Sequence, residues 1–223
     1  EPRVQGLQPA AASRRFPSYL APAMTQLPEL PLTLSRQEIR KMIRQRRRAL
    51  TPEQQQEMGQ QAATRMMTYP PVVMAHTVAV FLSFDGELDT QPLIEQLWRA
   101  GKRVYLPVLH PFSAGNLLFL NYHPQSELVM NKLKIHEPKL DVRDVLPLSR
   151  LDVLITPLVA FDEYGQRLGM GGGFYDRTLQ NWQHYKMQPV GYAHDCQLVE
   201  KLPVEEWDIP LPAVVTPSKV WEW

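Results

Sequence analysis

Apolar positions recur with the spacing of an α-helix in the first part of the chain beyond residue 34. Residues 36–49 carry isoleucine and methionine side chains on one face, which predicts an amphipathic helix. Ser35 precedes this helix as an N-cap, and Glu38 at the third helical position completes a capping box. A second helix is predicted at residues 52–67, where a threonine cap is followed by proline at the first helical position.

Further along, short runs of apolar, β-branched and aromatic residues alternate with helical patterns. These runs predict strands, at residues 78–84, 103–109, 116–122, 151–157, 189–194 and 213–216. The helical patterns lie at residues 91–100, 174–182 and 197–201. This alternation predicts an α/β fold, a Rossmann-like three-layer αβα sandwich with a mostly parallel (mixed) sheet. Ligands bind such sheets beyond the C-terminal ends of the strands, so we expect the ligand cleft there.

The first 34 residues differ from the rest of the chain. They contain six prolines and no sustained apolar period, which predicts a disordered N-terminal extension. Residues 35–223 are then predicted to form a single α/β domain, and 44% hydrophobic residues suffice for a full core. The net charge of +1, from 24 basic and 23 acidic residues, gives no electrostatic case for nucleic acid as the main partner.

Cysteine usage and hydropathy predict the compartment. The chain has one cysteine, Cys196, which fits a reducing environment. No apolar run approaches the roughly 20 residues that span a bilayer, and the N-terminus lacks the continuous apolar segment of a signal peptide. We therefore expect a cytoplasmic protein, monomeric and without a membrane partner. The six histidines show no paired metal-ligand spacing.

A glycine-rich segment follows the predicted strand at residues 151–157 and precedes the predicted helix at residues 174–182. Its glycines are Gly169, Gly171, Gly172 and Gly173. Glycine lets a ligand approach the main chain closely, and a turn between strand and helix points free N–H groups outward. With Arg167 and Arg177 on either side, the segment is a candidate phosphate cradle. Its spacing is neither that of a P-loop nor of a dinucleotide fingerprint, so a plain flexible loop is an equal alternative.

Other charged residues suggest chemistry near this segment. Asp176 is a candidate ligand for a divalent metal held against phosphates. Arg36 and Arg40 lie four apart on one helical face, where both can reach one phosphate chain. The basic cluster at residues 44–48 suits nucleic acid, but a solvated face balanced by Glu53 and Glu57 is the favoured interpretation. 

Glu87 lies just ahead of the predicted helix at residues 91–100. An acid at this place is favourable for the helix dipole alone, and from the residues alone that is the preferred interpretation.

One long string makes the glycine-rich segment much more specific. It reads Arg167-Leu168-Gly169-Met170-Gly171-Gly172-Gly173-Phe174-Tyr175-Asp176-Arg177 and follows Ala160-Phe161-Asp162 and Gly165. The string resembles the signature of the 5-formyltetrahydrofolate cyclo-ligase family, also called 5,10-methenyltetrahydrofolate synthetases. The resemblance extends from about residue 36 to the C-terminus. It implies an ATP-dependent ligase that converts 5-formyltetrahydrofolate to 5,10-methenyltetrahydrofolate through a phosphorylated N5-formyl intermediate, with Mg²⁺ as cofactor.

The resemblance also implies roles for individual residues. The implied ATP contacts are Arg36, Arg40, Arg167, Leu168, Gly169, Gly171, Gly172, Gly173 and Tyr175. The implied folate contacts are Leu82, Glu87, Met170, Gly171, Gly172, Gly173 and Phe174. The implied metal ligands are Asp176 and Asp208, and the implied catalytic residues are Glu87 and Arg167. Arg36 stands where the family usually has lysine, and residues 135–138 match a family segment too loosely to predict a ligand contact.

Other functions stay open at this point. A different phosphate-binding enzyme on a similar scaffold, such as a sugar-phosphate isomerase or a CoA-transferase-like enzyme, would show no dependence on ATP. A nucleotide-binding module without catalysis would bind ATP and turn nothing over. An RNA-binding protein using the basic cluster at residues 44–48 would lose affinity steeply with salt.

Overall fold

The computed structural model describes residues 34–223, so the predicted N-terminal extension lies outside the described residues except for Leu34. The helices are α1 (Arg36–Arg48), α2 (Pro52–Thr68), α3 (Pro70–Met74), α4 (Gln91–Arg99) and α5 (Phe174–Leu179). The predicted caps are present. The hydroxyl of Ser35 accepts the N–H of Glu38 at 3.1 Å, but the Glu38 carboxylate accepts from that hydroxyl at 3.3 Å, so the predicted reciprocal capping box is not formed there. Thr51 forms a reciprocal capping box with Gln54.

Short strands make up the rest of the regular structure. They are β1 (Thr77–Ala79), β2 (Arg103–Leu109), β3 (Leu117–Tyr122), β4 (Leu128–Met130), β5 (His136–Pro138), β6 (Val145–Leu146), β7 (Val153–Thr156), β8 (Ala160–Asp162), β9 (Arg167–Leu168), β10 (Gln188–Tyr192), β11 (Leu198–Val199), β12 (Ala213–Val215) and β13 (Val220–Glu222). Single 3₁₀ turns occur at Val142–Asp144, Leu148–Arg150, Trp182–His184 and Asp195–Gln197.

The main sheet has eight strands in the order β13-β12-β10-β7-β1-β2-β3-β6. Its centre, from β12 to β2, is parallel. Antiparallel strands form both edges, with β13 on one side and β3 and β6 on the other. This mixed sheet confirms the predicted α/β class, and the carboxyl ends of its central strands lie along one edge, where the predicted cleft is expected.

Apolar side chains cover both faces of the sheet. On one face α2 and α4 bury residues such as Met66 and Leu97 against Val78 and Ile155. On the other face α5 contributes Leu179, which joins a cluster with Leu154, Phe161 and Trp221. Helix α1 packs elsewhere: Ile39 and Ile43 bury themselves against a small sheet of order β11-β8-β9. The amphipathic face of α1 therefore fixes this helix beside the strand that leads into the glycine-rich segment.

Several predicted element bounds are wrong. The helix predicted at residues 197–201 is a 3₁₀ turn followed by β11, because Leu198 and Val199 extend the small sheet along β8. The helix predicted at residues 174–182 ends at Leu179. The strand predicted at residues 78–84 pairs only as far as Ala79. Strands β4, β5, β6, β8, β9 and β13 were not predicted.

Within residues 34–223, no helix combines the length and the apolar character that crossing a bilayer requires.

Candidate functional site

A cleft of about 650 Å³ lies beyond the ends of β1, β2 and β7. It brings together most of the residues predicted for ligand binding. Those lining it are Arg36, Arg40, Leu82, Glu87, Arg167, Gly169, Met170, Gly171, Gly172, Gly173, Phe174, Tyr175 and Asp176. Leu168 instead faces the core beside α1, and Asp208 lies behind Arg36 rather than on the cleft wall.

Residues 169–173 form the loop predicted from the glycine spacing, here called the glycine loop. Gly171 and Gly173 have φ angles of 108° and 70°, which side chains with a Cβ rarely adopt. Two arginines bind the carbonyl oxygens of the loop. Arg40 donates from Nε to Gly169 at 2.7 Å, and Arg177 donates to Gly172 at 2.5 Å.

Arg177 differs from the expectation that it offers donors to phosphate. Its Nε also donates to the carbonyl oxygen of Gly115 at 2.6 Å, and its guanidinium lies 5.5 Å from the centre of the Phe174 ring. It therefore ties the glycine loop to the segment after β2 and is not part of the cleft wall.

Arg167 is almost completely buried at the base of the glycine loop, with 6% of its surface exposed. Its Nε donates to the carbonyl oxygen of Pro157 at 2.8 Å, and its guanidinium lies 5.6 Å from the centre of the Tyr175 ring. Burial lowers the pKa of Arg167, and the nearby carboxylate of Asp176 opposes that shift. The arrangement keeps a desolvated positive charge directly beneath the loop.

Asp176 projects from the first turn of α5 toward Arg167. One carboxylate oxygen, Oδ1, lies 3.6 Å from the guanidinium of Arg167, which is too long for a hydrogen bond. The same oxygen is buried and accepts no hydrogen bond within the described residues. A buried carboxylate oxygen without a donor is an open position for a cation.

Arg36 and Asp208, predicted to bind ATP and metal respectively, bind each other. The guanidinium donates to both carboxylate oxygens, at 2.6 Å and 3.1 Å. Arg36 also donates to the carbonyl oxygen of Pro203 at 3.1 Å, while the N–H of Glu205 donates to Asp208 at 2.8 Å. This pairing fastens the segment around Trp207, an exposed residue at the mouth of the cleft, to the start of α1.

Glu87 lines the same cleft as the glycine loop and lies in a turn at residues 84–87. The N–H of Phe84 donates to its carboxylate at 3.0 Å. Burial raises the pKa of Glu87 to about 7, against the opposing effects of that N–H and of Arg47. The side chain is half-buried, and its exposed part faces the cleft. The interpretation of Glu87 as an exposed acid, preferred from the residues alone, is therefore wrong.

The interpretation of the basic cluster at residues 44–48 as a solvated face is also wrong. Arg47 is buried, with 3% of its surface exposed. It faces Asp85 rather than Glu53 or Glu57, with 3.7 Å between the guanidinium and the carboxylate. Arg48 binds the same carboxylate directly at 2.6 Å. The cluster therefore contains a buried contact with the turn at residues 84–87 and is not a uniformly solvated face.

Sequence reasoning missed the wall formed by the β4–β5 hairpin. Residues 135–138, for which no ligand contact was predicted, contribute Ile135, His136 and Glu137 to the cleft lining. Glu137 is fixed there by the N–H of Leu109 and the amide of Asn131, both at 3.0 Å. Strands of three residues show too little alternation to predict a hairpin, and the loose motif at residues 135–138 was the available signal.

The donors present limit what metal the site can hold. Within residues 34–223, no group of three or more histidine, cysteine, aspartate or glutamate side chains converges as a metal cage. Mg²⁺ does not need such a cage, because it commonly binds through one or two carboxylates together with substrate phosphates.

Comparison with known proteins agrees with this geometry. The sequence model of the 5-formyltetrahydrofolate cyclo-ligase family matches residues 33–217. The chain is 99% identical over 182 residues to the 5-formyltetrahydrofolate cyclo-ligase of Escherichia coli, covering 82% of this chain and 100% of that protein. It is 53% identical over 179 residues to the Haemophilus influenzae protein of the same name, covering 80% of this chain and 96% of that protein.

Solved structures give the same result at the level of the fold. The NMR structure of Aquifex aeolicus 5,10-methenyltetrahydrofolate synthetase superposes with a TM-score of 0.73 at 28% identity, covering 85% of this chain and 93% of that chain. The Mycoplasma pneumoniae 5,10-methenyltetrahydrofolate synthetase has the same fold, with a TM-score of 0.65 at 21% identity over 83% of this chain and 100% of that chain. By its sequence match and its close relatives, this chain belongs to the 5-formyltetrahydrofolate cyclo-ligase family.

Proposed function

We propose that this chain catalyses the ATP- and Mg²⁺-dependent cyclisation of 5-formyltetrahydrofolate to 5,10-methenyltetrahydrofolate, with release of ADP and phosphate. One observation carries the proposal: a single cleft is lined by the glycine loop, by the buried Arg40 and Arg167, and by Glu87. The loop and its arginines suit a triphosphate. The apolar side chains of Phe81, Leu82 and Leu106, which line the same cleft, suit the folate ring system.

The proposed first step transfers the γ-phosphoryl group of ATP to the formyl oxygen of the folate. The formyl oxygen attacks the γ-phosphorus, and the bond from that phosphorus to ADP breaks. The N5-formyl group thereby becomes an activated imidate phosphate. Phosphoryl transfer depends mainly on alignment and on neutralising charge. Arg40 and Arg167, both buried, and the N–H groups of the glycine loop supply positive charge for that purpose.

The proposed second step closes the ring. The N10 nitrogen attacks the activated carbon, the carbon–oxygen bond breaks, and phosphate leaves with the former formyl oxygen. N10 must also lose its proton. A carboxylate is an effective base when its pKa lies near the working pH, and the pKa of about 7 for Glu87 meets this condition.

Mg²⁺, when bound, would neutralise charge on the phosphate oxygens of ATP. Asp176 fits this cation, because its buried Oδ1 has no hydrogen-bond donor among the described residues. Asp208 is the weaker candidate, because both of its oxygens already accept hydrogen bonds from Arg36.

The decisive test is the formation of the methenyl product, followed by its absorbance, from 5-formyltetrahydrofolate. We expect product only when ATP and Mg²⁺ are both present, with ADP formed in equal amount. Product without ATP would overturn the proposed chemistry. Binding of ATP with no turnover under any condition would leave a nucleotide-binding module in its place.

A further inference from the structure

The turn that carries Glu87 adopts an unusual backbone conformation. Asp85 and Gly86 have φ angles of 52° and 75°, both in the left-handed region. A left-handed conformation is costly for a residue with a side chain, so Asp85 needs support from its surroundings. Glu87 follows directly, and its direction therefore depends on whatever holds this turn.

The C-terminal half of α1 holds the turn. Arg48 donates from Nε to Asp85 at 2.8 Å, and the guanidinium groups of Arg47 and Arg44 lie 3.7 Å and 3.9 Å from the same carboxylate. The backbones are also in close contact. A Cβ added to Gly86 would lie only 3.3 Å from the Cβ of Arg47, so a larger residue here would press on the helix as well as strain the turn.

Two neutral side chains complete this support. Gln55 donates to the carbonyl oxygens of Gly86 and Arg47, at 3.2 Å and 3.4 Å. The ring of His194 lies 3.1 Å from the carbonyl oxygen of Gly86. Burial lowers the pKa of His194 to about 4, so the ring is neutral at physiological pH.

Arg47 is the unusual member of the group. Arg48 is exposed, but Arg47 is buried, and its Nε has no hydrogen-bond partner among the described residues. A buried, incompletely satisfied guanidinium destabilises a protein unless its charge is balanced nearby. The carboxylates of Glu87 and Asp85 provide that balance, since Arg47 interacts favourably with both.

We propose that Arg47 is a positioning residue for Glu87: it holds the turn at residues 84–87 against α1 and supplies the buried positive charge that faces the Glu87 carboxylate. This inference rests on the proposed function, because it assigns Arg47 a task only if Glu87 acts in the cyclisation. Other charged or titratable groups near Glu87 are Asp85 in the turn, His194 against the turn backbone and Tyr175 on α5.

The test compares Arg47→Met, Arg47→Lys and Lys41→Met with the unchanged chain. Lys41 is the matched control, since it is a basic residue on the same helix but is exposed. We expect Arg47→Met to lower kcat by at least about tenfold while the KM for ATP changes less than about twofold. Arg47→Lys should recover part of the loss, and Lys41→Met should behave like the unchanged chain.

Two further measurements separate positioning from general damage. Loss of the Arg47 charge should raise the pKa of Glu87, so the limb on which kcat rises with pH should move to higher pH. In a double-mutant cycle, Arg47→Met should cost much less in a Glu87→Gln background than alone, because its effect passes through Glu87. An equal loss in both backgrounds, or an unmoved pH limb, would overturn the proposal.

The outcomes also separate this inference from the proposed function. If the unchanged chain and Lys41→Met form no methenyl product, the proposed function fails. If both are active and Arg47→Met matches them, only the role of Arg47 fails. Should Arg47→Met not fold, as judged by circular dichroism, Asp85→Asn makes the same test from the turn, and additivity of Asp85→Asn with Glu87→Gln would overturn the proposal.

Discussion

Both halves of α1 carry arginines, yet the arginines of the two halves make different contacts. In the first half, Arg36 and Arg40 bind Asp208 and the carbonyl oxygen of Gly169, next to the glycine loop. In the second half, Arg47 and Arg48 face Asp85, next to Glu87. The first group lines the cleft, whereas the second lies behind it.

This difference shows that position along a helix, more than residue type, decides what an arginine does. From Arg36 to Arg47 the helix rises by about 16 Å, and it contacts both the glycine loop, through Arg40, and the turn that carries Glu87, through Arg47. Its apolar face, with Ile39 and Ile43, is fixed against the small sheet. Any shift of α1 would therefore disturb the glycine loop and the turn of Glu87 together.

The largest effect should come from Glu87→Gln, which removes the carboxylate that Arg47, in the second half of α1, is proposed to position. The substitution keeps size and hydrogen bonding but removes the base proposed for N10. We expect kcat to fall by about 100-fold or more, with the affinity for ATP nearly unchanged. Calorimetric titration with ATP gives the affinity, and methenyl formation gives kcat. Equal losses in the two would mean that Glu87 also supports ATP binding.

Arg40→Met should produce the next largest effect, at the glycine loop contacted by the first half of α1. It removes a buried charge beside the proposed phosphate site and the donor that holds Gly169. We expect the KM for ATP to rise by about tenfold or more, while the KM for the folate changes little. A variant with an unchanged KM for ATP would show that Arg40 acts only on the loop backbone.

Arg36→Met should weaken ATP binding less than Arg40→Met, by about threefold, because the positive charge of Arg36 is already paired with Asp208. Its second consequence is on stability, since the Asp208 side chain is 3% exposed and would lose its partner. We expect a melting temperature lower by several degrees, at about 2–4 °C per kcal/mol. Asp208→Asn in the same chain should restore most of that loss.

The smallest effect concerns the dependence of stability on pH. Burial raises the pKa of Glu87 from 4.5 to about 7, so the folded chain binds this proton more tightly than the unfolded chain does. Its contribution is fully present below pH 4.5 and is lost as the pH rises through about 7. Relative to the unchanged chain, Glu87→Gln should therefore be more stable at pH 8 than at pH 5. Urea unfolding at the two pH values measures this, and a difference of the opposite sign would contradict the assigned shift.

Local signals in the sequence predicted much of the framework. Caps at Ser35 and Thr51, the apolar face of α1 and the runs of β-branched residues each depend on neighbours a few positions away. The convergence of Glu87 with the glycine loop was also predictable, because both follow strands of a parallel sheet.

Pairings between distant residues were not predictable in the same way. Arg48 and Asp85 are 37 positions apart, and Arg36 and Asp208 are 172 apart. Arg47 follows Ile43 by four positions and so lies on the apolar face of α1, but the local pattern does not show which carboxylate balances a buried charge there, since Asp85 belongs to the docked turn. The hairpin of β4 and β5 was not predicted, because strands of three residues are too short to show an alternation of apolar and polar positions.

The contact between Arg36 and Asp208 can form only late in the synthesis of the chain. A ribosome adds about 5–20 residues per second, so Asp208 follows Arg36, 172 positions earlier, by roughly 10–30 s. Asp85, the partner of Arg48, follows within 37 positions, whereas the small sheet that packs on Ile39 and Ile43 is formed by residues made much later. The second half of α1 can therefore find its native partner early, and the first half stays without native contacts for much of the synthesis of the chain.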